Sequence, residues 1–508
     1  GGIIWNFNSD GYFYLKKDPK TLITNKLYFH KLGTDIKLDK LIYRESDAEF
    51  NLSISLSRTK KYLFLQISKT ESNEFRFLNL DENEMKLECF QKRSNKHLYY
   101  VDDTPEEFFI LSNQKKKKNF ALYRTNLKNT DIKHWKIYVN HKQDELIEDF
   151  LCFKDFIILE TRKSGTPQLI QINKKTKRKT YIDFDQNAFS VYLANNINYQ
   201  ATNFSFVYSS LSTPATIFSQ NLYSKKRKKV WQQKILTHKQ KNYETKRVLI
   251  KARDGVKVPV SLIYKKGINL KDAPLLQYGY GSYGAVIEPS FKLSFMPLIE
   301  QGFIFAIAHI RGGQDLGRDW YDQGRMMNKM NTFFDFIDCS KELLKKEIGN
   351  KSKIFAMGGS AGGLLMGAII NLEPSLYKGI VSAVPFVDVL TTMSDESIPL
   401  TTFEYKEWGN PAKKKEYFYI KKYSPYDNID FKSYPAVLVT SSLYDSQVQY
   451  FEPAKYVPKL REHQLSDKPI LLKMNMIGGH AGKSGRLESL RETADELSFL
   501  ASLAEDNS

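Results

Sequence analysis

A serine set among glycines and an alanine is the residue of this sequence best suited to chemistry. Ser360 lies in the run GGSAGG at 358–363. An apolar run at 354–357 predicts a strand before it, and another at 364–370 predicts a helix after it. So tight a turn accepts only small residues around the serine and pushes its hydroxyl out beyond the strand end. This pattern is typical of a nucleophile elbow, although an ordinary tight turn or a phosphate-binding turn fits it too.

An acid and a base that could activate this serine follow it in the chain. Asp445 ends the loop after an apolar run at 435–440. His480 lies in a glycine-rich loop after a second apolar run, at 470–474. Each therefore comes just after a predicted strand, where an open parallel sheet places its functional groups. Because the order Ser, Asp, His is that of α/β-hydrolases, we predict Ser360, Asp445 and His480 as a catalytic triad.

Two other histidines, His309 and His463, follow residue 250 and are alternatives to His480. His463 lies in a charged, helix-like stretch at 459–463, which favours a solvated surface residue. His309 ends the apolar run at 303–308, which favours packing or support of other groups. Among the three, His480 alone lies in a glycine-rich loop that could carry an imidazole to the serine, so it is the predicted base.

Attack by a serine also needs hydrogen-bond donors for the oxyanion that develops. One predicted donor is the backbone N–H of Ala361, the residue after the nucleophile. Another must come from an earlier loop at a strand end, and LLQYGYGSYG at 275–284 is the evident source. The tyrosines of this loop could equally be packing residues.

Composition narrows the class of protein. A chain of 508 residues is too long for one core, so we expect at least two domains. The chain is 42% apolar and 26% charged, and no apolar run approaches a membrane span, so we expect a soluble protein without a membrane partner. Its first residues show no signal-peptide pattern. Three isolated cysteines predict no disulfides and no metal site, which favours a reducing compartment and so a cytoplasmic protein. We expect no cofactor.

The net charge of +19 raises the question of nucleic-acid binding. The lysine clusters at 115–118, 174–179 and 225–229 each fall between strand-like runs, where solvated turns are expected. No nucleic-acid motif accompanies them, so we expect no nucleic-acid partner. The oligomeric state stays open.

The two halves of the chain have different periods. Strand-like runs begin near residues 11, 62, 107, 155 and 204, and each is followed by another strand. A period of 45–50 residues with several strands per repeat predicts a β-propeller of about five blades, with a pair of β-sandwiches as the alternative.

After residue 243 strands alternate with helices, which predicts a mostly parallel sheet. The runs at 246–250 and 258–264 predict an antiparallel hairpin at its start, and helices are expected at 332–346 and 453–461. We predict a propeller domain at 1–240 and an α/β-hydrolase domain at 241–508.

Motifs along essentially the whole chain, strongest from 254 to 486, closely resemble the prolyl oligopeptidase family of serine peptidases and, within it, oligopeptidase B. They match in order and are too many and too long to be a coincidence. They are YGYGSYG (278–284), RGGQDLGRDWYDQG (311–324), NTFFDF (331–336), GGSAGGLLMGA (358–368), VPFVDVLTTM (384–393), ESIPLTT (396–402), EWGNP (407–411), YSPYDN (423–428), DSQVQYFEPAKYV (445–457) and GKSGR (482–486).

The resemblance implies an α/β-hydrolase domain capped by a seven-bladed propeller that admits only peptides. By motif match it makes Ser360, Asp445 and His480 the triad and Tyr280 the side-chain oxyanion donor. The family also places a hydrolase segment before its propeller. Relative to that pattern this chain lacks that segment and about two blades, so we expect an N-terminally incomplete propeller of about five blades.

Oligopeptidase B cleaves after arginine or lysine, which implies a carboxylate at the base of the specificity pocket. Glu404 is the best candidate, with a plain surface charge as the alternative reading. The resemblance also makes Glu288, Tyr283 and Glu407 substrate-binding candidates.

Two departures from the family pattern bear on specificity. Lys406 and Ser290 stand where relatives can carry further acids, so we expect a weaker preference for paired basic residues.

The resulting expectation is a serine oligopeptidase that cleaves short basic peptides after arginine or lysine through an acyl-enzyme. The alternatives are a catalytically silent remnant that only binds partners, and a prolyl-specific peptidase or carboxylesterase of the same fold.

Overall fold

A computed structural model describes residues 2–82 and 84–505. Within those residues the first half of the chain forms five successive four-stranded antiparallel sheets, which are the blades of a propeller. Their strands are β1 Ile3–Trp5, β2 Gly11–Lys17, β3 Thr24–Lys31, β4 Lys40–Arg44; β5 Asn51–Leu56, β6 Tyr62–Lys69, β7 Ser72–Asn79, β8 Glu88–Gln91; β9 Tyr99–Asp103, β10 Glu107–Ser112, β11 Ala121–Asn126, β12 Lys136–Val139; β13 Glu145–Cys152, β14 Phe156–Lys163, β15 Thr166–Asn173, β16 Lys179–Tyr181; β17 Phe189–Leu193, β18 Asn203–Ser210, β19 Thr216–Asn221 and β20 Arg227–Gln232.

The continuous apolar runs that marked each repeat belong to the second strand of each blade. Successive side chains of a strand point to opposite faces of its sheet. In β6, Leu63 and Leu65 therefore pack toward the first blade, while Tyr62 and Phe64 pack toward the third. Both faces are buried because the blade lies between two neighbours, which removes the usual alternation of apolar and polar residues. The predicted five-bladed propeller is confirmed, and the sandwich alternative is wrong.

The second half of the chain forms an eight-stranded sheet of order β21-β22-β24-β23-β25-β26-β27-β28. β21 and β22 form the predicted hairpin, β22 pairs antiparallel with β24, and the other pairings are parallel. The strands are β21 Tyr243–Lys251, β22 Lys257–Lys265, β23 Leu275–Tyr278, β24 Ile304–Ala308, β25 Ile354–Gly359, β26 Gly379–Ala383, β27 Ala436–Ser442 and β28 Ile470–Asn475.

Helices cover both faces of this sheet, which gives the predicted α/β-hydrolase architecture. One buried apolar cluster joins α3, α4 and α8 to the sheet, and a second joins α1 and α9 to its other face. The helices are α1 Met296–Glu300, α2 Arg318–Asp322, α3 Met330–Lys345, α4 Ala361–Leu372, α5 Val389–Ser394, α6 Thr401–Trp408, α7 Lys414–Lys421, α8 Phe451–Glu462 and α9 Arg486–Glu505. In the part of the chain that is described, no helix is both long and apolar enough to cross a membrane.

Candidate active site

Ser360 occupies the sharp turn between β25 and α4, as a nucleophile elbow requires. Its φ of 59° and ψ of −119° lie in a region that residues with a side chain rarely adopt. The turn can form only because its neighbours are glycines: a Cβ on Gly358 would lie 2.4 Å from the Gly362 carbonyl oxygen, and one on Gly363 would lie 2.4 Å from Pro385. The Ser360 N–H donates to the Ala383 carbonyl of β26 at 2.8 Å, which anchors the turn to the sheet.

Asp445 and His480 form a hydrogen-bonded pair. Asp445 Oδ2 lies 2.7 Å from His480 Nδ1, and the Asp445 side chain is buried. The other carboxylate oxygen, Oδ1, accepts the backbone N–H groups of Gln447 and Val448, which fixes the orientation of the carboxylate. The carboxylate thereby holds the proton of the imidazole on Nδ1 and leaves Nε2 as the basic nitrogen.

The loop that carries His480 is fastened at both ends by residues that the sequence patterns did not single out. Asn475, the last residue of β28, accepts the N–H groups of Ile477 and Gly478 through Oδ1. Its Nδ2 donates to Glu492 Oε1 of α9 at 2.6 Å. Glu492 also accepts the Lys483 N–H at 3.3 Å, so one helix residue holds both ends of the loop.

Tyr280 and Ala361 line the same cavity as Ser360, which has a volume of about 270 Å³. Ala361 is the first residue of α4, and N–H groups in the first turn of a helix have no partner within the helix. Burial raises the pKa of Tyr280 to about 12, with the Ser360 side chain acting in the opposite direction. The phenol is therefore protonated at neutral pH and is a hydrogen-bond donor beside the serine.

Glu404 lies in this cavity as well. Its Oε2 accepts hydrogen bonds from the Tyr283 hydroxyl at 2.7 Å and from Trp408 Nε1 at 3.0 Å. Among the described residues no lysine, arginine or histidine nitrogen lies within ion-pair distance of it. Burial raises the pKa of Glu404 to about 7, and the nearby Glu407 acts in the same direction. The cavity thus contains an acid without a cationic partner.

Tyr283 lines the cavity, whereas Glu407 lies behind it. Tyr283 is 45% exposed and has a φ of 60°, in the left-handed region. Its N–H donates to Glu407 Oε1 at 2.8 Å, and Glu407 also accepts the Tyr321 hydroxyl. Glu407 is buried, so it is placed to hold the tyrosine loop rather than to meet a substrate.

Glu288 lies where the propeller meets the sheet domain. It forms an ion pair with Arg162 of β14, and Arg162 also pairs with Glu148 of β13 at 2.8 Å. Burial raises the pKa of Glu288 to about 7, while the arginine acts in the opposite direction. The structure therefore places Glu288 in an interdomain ion pair outside the cavity of Ser360.

His309 and His463, the alternatives to His480, each contact other groups of the protein. His309 is buried, with Nδ1 2.9 Å from Asp315 and Nε2 2.8 Å from the Ser261 hydroxyl. His463 is not the solvated residue that its charged neighbours indicated: its ring stacks on Phe431, and its Nδ1 donates to a backbone carbonyl of α8.

An arginine that no sequence pattern singled out joins the propeller to the helix that bears Glu404. Arg325 Nη2 donates to Glu71 Oε1 at 2.6 Å, and Glu71 lies in the turn between β6 and β7 of the second blade. The Nη1 atom donates to the Lys406 carbonyl of α6 at 2.9 Å. Arg325 thereby links the propeller to the helix that bears Glu404.

Comparison with known families matches both halves of the chain. Residues 1–234 match the family described as prolyl oligopeptidase, N-terminal beta-propeller domain. Residues 289–507 match the prolyl oligopeptidase family.

Named relatives are similar over nearly the whole chain. Dipeptidyl aminopeptidase BI of Pseudoxanthomonas mexicana is 40% identical over 500 residues, which cover 98% of this chain and 69% of that protein. Protease 2 of Moraxella lacunata is 36% identical over 502 residues, with 98% of this chain and 72% of that protein covered.

Solved structures show the same likeness. Oligopeptidase B from Leishmania major aligns with a TM-score of 0.96 at 33% identity, over 99% of this chain and 72% of that one. Oligopeptidase B from Trypanosoma brucei, in a closed form with covalently bound antipain, aligns with a TM-score of 0.96 at 34% identity, over 99% of this chain and 73% of that one.

Proposed function

Because the chain belongs to the prolyl oligopeptidase family of serine peptidases, we propose that it hydrolyses short peptides after arginine or lysine through an acyl-enzyme intermediate. The observation that carries this proposal is the presence of Glu404 and Ser360 in one cavity of about 270 Å³. A substrate whose reacting carbonyl lies at Ser360 would place the preceding side chain in reach of this carboxylate.

The environment of Glu404 favours a cationic side chain over a neutral one. Two neutral donors, Tyr283 and Trp408, hold one oxygen and orient the group without neutralising it. A guanidinium supplies planar, bidentate hydrogen bonds, and an ammonium supplies a point charge. An apolar side chain would leave the carboxylate buried and unpaired, which is unfavourable.

The proposed reaction uses the remaining groups of the site in turn. His480 Nε2 takes the proton of Ser360 as Oγ attacks the scissile carbonyl carbon, and Asp445 stabilises the imidazolium. The oxyanion accepts hydrogen bonds from the Ala361 N–H and the Tyr280 hydroxyl. His480 then protonates the leaving amine, and water, deprotonated by the same imidazole, hydrolyses the acyl-enzyme.

A reporter panel tests this proposal. We would compare kcat/KM for matched reporters with arginine, lysine, citrulline or proline before the scissile bond, and for a simple ester. Citrulline has the shape of arginine without its charge. An amino-blocked and a free dipeptide reporter are added because one relative is named a dipeptidyl aminopeptidase. We expect hydrolysis of the arginine and lysine reporters and weak hydrolysis of the citrulline, proline and ester reporters.

Two variants and a control assign the roles. Ser360→Ala should lower kcat by a factor on the order of 10⁶. Glu404→Gln should lower the ratio of kcat/KM for arginine to that for citrulline about 10- to 100-fold. This is the loss in binding expected when a hydrogen bond to a charged group is removed. Glu396→Gln, which removes an exposed acid shortly before α6, should leave the ratio unchanged. Preference for proline or the ester in the unaltered protein, or no turnover of any reporter, would contradict the proposal.

A further inference from the structure

A buried lysine lies directly behind the loop that carries Tyr280 and Tyr283. Lys329 precedes α3 and is 1% exposed. Its Nζ donates to the Gly281 carbonyl at 2.6 Å and to the Ser282 hydroxyl at 2.8 Å. Burial lowers the pKa of Lys329 to about 8, and Glu407 acts in the opposite direction. Burying a lysine is costly, so its position calls for a compensating role.

Glu407 holds the next peptide unit of the same loop. It accepts the Tyr283 N–H at 2.8 Å and is itself 1% exposed. Lys329 therefore binds the loop by an acceptor at 281 and a hydroxyl at 282, while Glu407 binds it by a donor at 283. The positively charged Lys329 and the negatively charged Glu407 therefore bind consecutive residues of one short segment.

This segment needs such support because it turns through three left-handed positions, one of them at a residue with a side chain. Gly281 has a φ of 71°, Tyr283 of 60° and Gly284 of 66°, all in the left-handed region. For Tyr283, which has a side chain, this conformation is unfavourable and persists only where the surroundings impose it. Gly281 has no room for a side chain, since a Cβ there would lie 2.4 Å from Thr332 Cγ2.

We propose that Lys329, with Glu407 as its counterpart, is a positioning residue that fixes the 280–283 loop so that the Tyr280 hydroxyl stays beside Ser360. It acts through Tyr280 and does not itself reach the cavity. This inference rests on the proposed function in one respect, since it takes Ser360 as the nucleophile. It does not depend on the preference for arginine or lysine.

An uncharged residue could not replace the lysine at this position. Without the ammonium group of Lys329, the Gly281 carbonyl would keep only a 3.5 Å contact with the Thr332 hydroxyl. The Ser282 hydroxyl would lose its partner. The buried acid Glu407 would also lose the charge of Lys329 and keep only the weaker influence of Arg325. The loop would relax, and a displacement of about 1 Å at a reacting group can cost about 10²-fold in rate.

A double-mutant cycle tests whether Lys329 acts through Tyr280. The readout is the rate constant for labelling of Ser360 by a fluorophosphonate, whose phosphonyl oxygen uses the same oxyanion donors as a substrate. We would measure the unaltered protein, Lys329→Met, Tyr280→Phe and the double variant. Lys345→Met is the matched control, because Lys345 is an exposed lysine at the far end of α3, the helix that Lys329 precedes.

The expected result is a loss that depends on Tyr280. Lys329→Met should slow labelling about 10- to 100-fold in the unaltered background and less than about 3-fold in Tyr280→Phe. On a peptide reporter, kcat should fall while KM stays within about twofold. Lys345→Met should label at the unaltered rate.

Other outcomes overturn the inference. Equal losses in both backgrounds, or no loss in Lys329→Met, would do so while leaving the proposed function intact. Should Lys329→Met fail to fold, Ser282→Ala removes one acceptor of the ammonium, and the same dependence on Tyr280 is expected at about 2- to 5-fold. Labelling of Ser282→Ala at the unaltered rate would refute the inference. An unlabelled Ser360 in the unaltered protein would overturn the nucleophile and the inference together, and labelling without a preference for arginine would overturn only the proposed specificity.

Discussion

The raised pKa of Glu404 predicts that selectivity for arginine changes with pH. Burial brings the pKa of this carboxyl group to about 7, so it is neutral at lower pH and ionised at higher pH. Only the ionised form attracts a guanidinium. Since the pH dependence of kcat/KM reports ionisation of the free enzyme, the preference for arginine should rise as pH rises through about 7.

The size of the effect follows from the titration. With a pKa of about 7, about a tenth of Glu404 is ionised at about pH 6 and about nine tenths at about pH 8. If only the ionised form distinguishes the two substrates, and does so about 10- to 100-fold, the ratio of kcat/KM for arginine to that for citrulline increases about five- to ninefold over this range.

The assay is this ratio, measured with two otherwise identical reporters between about pH 5.5 and about pH 8.5. Any effect of pH on the chemical step that is common to both reporters cancels in the ratio, which isolates the specificity pocket. Glu404→Gln should give a ratio that is low and independent of pH, and Glu396→Gln should reproduce the unaltered curve. A ratio that stays constant with pH in the unaltered protein, or that still rises in Glu404→Gln, would refute the assignment of Glu404.

Three further variants probe the site and its support. Tyr280→Phe should lower kcat about 10²- to 10³-fold with little change in KM, and an unchanged kcat would remove the tyrosine from the oxyanion site. Asp445→Asn should lower kcat about 10⁴-fold because it favours the wrong tautomer of His480, and a loss below about tenfold would contradict the pairing. Arg311→Met leaves Asp335 buried without its 2.5 Å ion-pair partner and should lower the free energy of unfolding by about 3–5 kcal/mol, measured by urea denaturation. A change within about 1 kcal/mol would show that this pair contributes little.

The fold was predictable because its elements repeat at short range. The blade period is visible in the apolar second strands, and each of the predicted triad residues follows a strand of one mostly parallel sheet. The tight turn at Ser360 was predictable for a local reason as well, since a side chain at Gly358 or Gly363 would clash with the backbone or with Pro385. Such features depend on neighbours in sequence, which a single chain displays directly.

The contacts that hold the site in place could not be predicted, because the residues that form them are far apart in the chain. Glu71 and Arg325 are 254 residues apart, and neither lies in a periodic pattern. Glu404 and Glu407 illustrate a second limit. They are three residues apart on α6, and only the packing of that helix decides that Glu404 faces the cavity while Glu407 faces the buried Lys329. A motif locates such a segment without telling which side chain meets the substrate.

Acylation by an ester that carries a guanidinium tests the central claim most directly. Reaction with 4-nitrophenyl 4-guanidinobenzoate, followed by peptide mapping, asks at once whether Ser360 is the nucleophile and whether its pocket accepts a cationic group. The account predicts a burst of one equivalent of nitrophenolate, a guanidinobenzoyl group on Ser360, and much slower acylation of Glu404→Gln. The absence of a burst, or acylation at another residue, would contradict it.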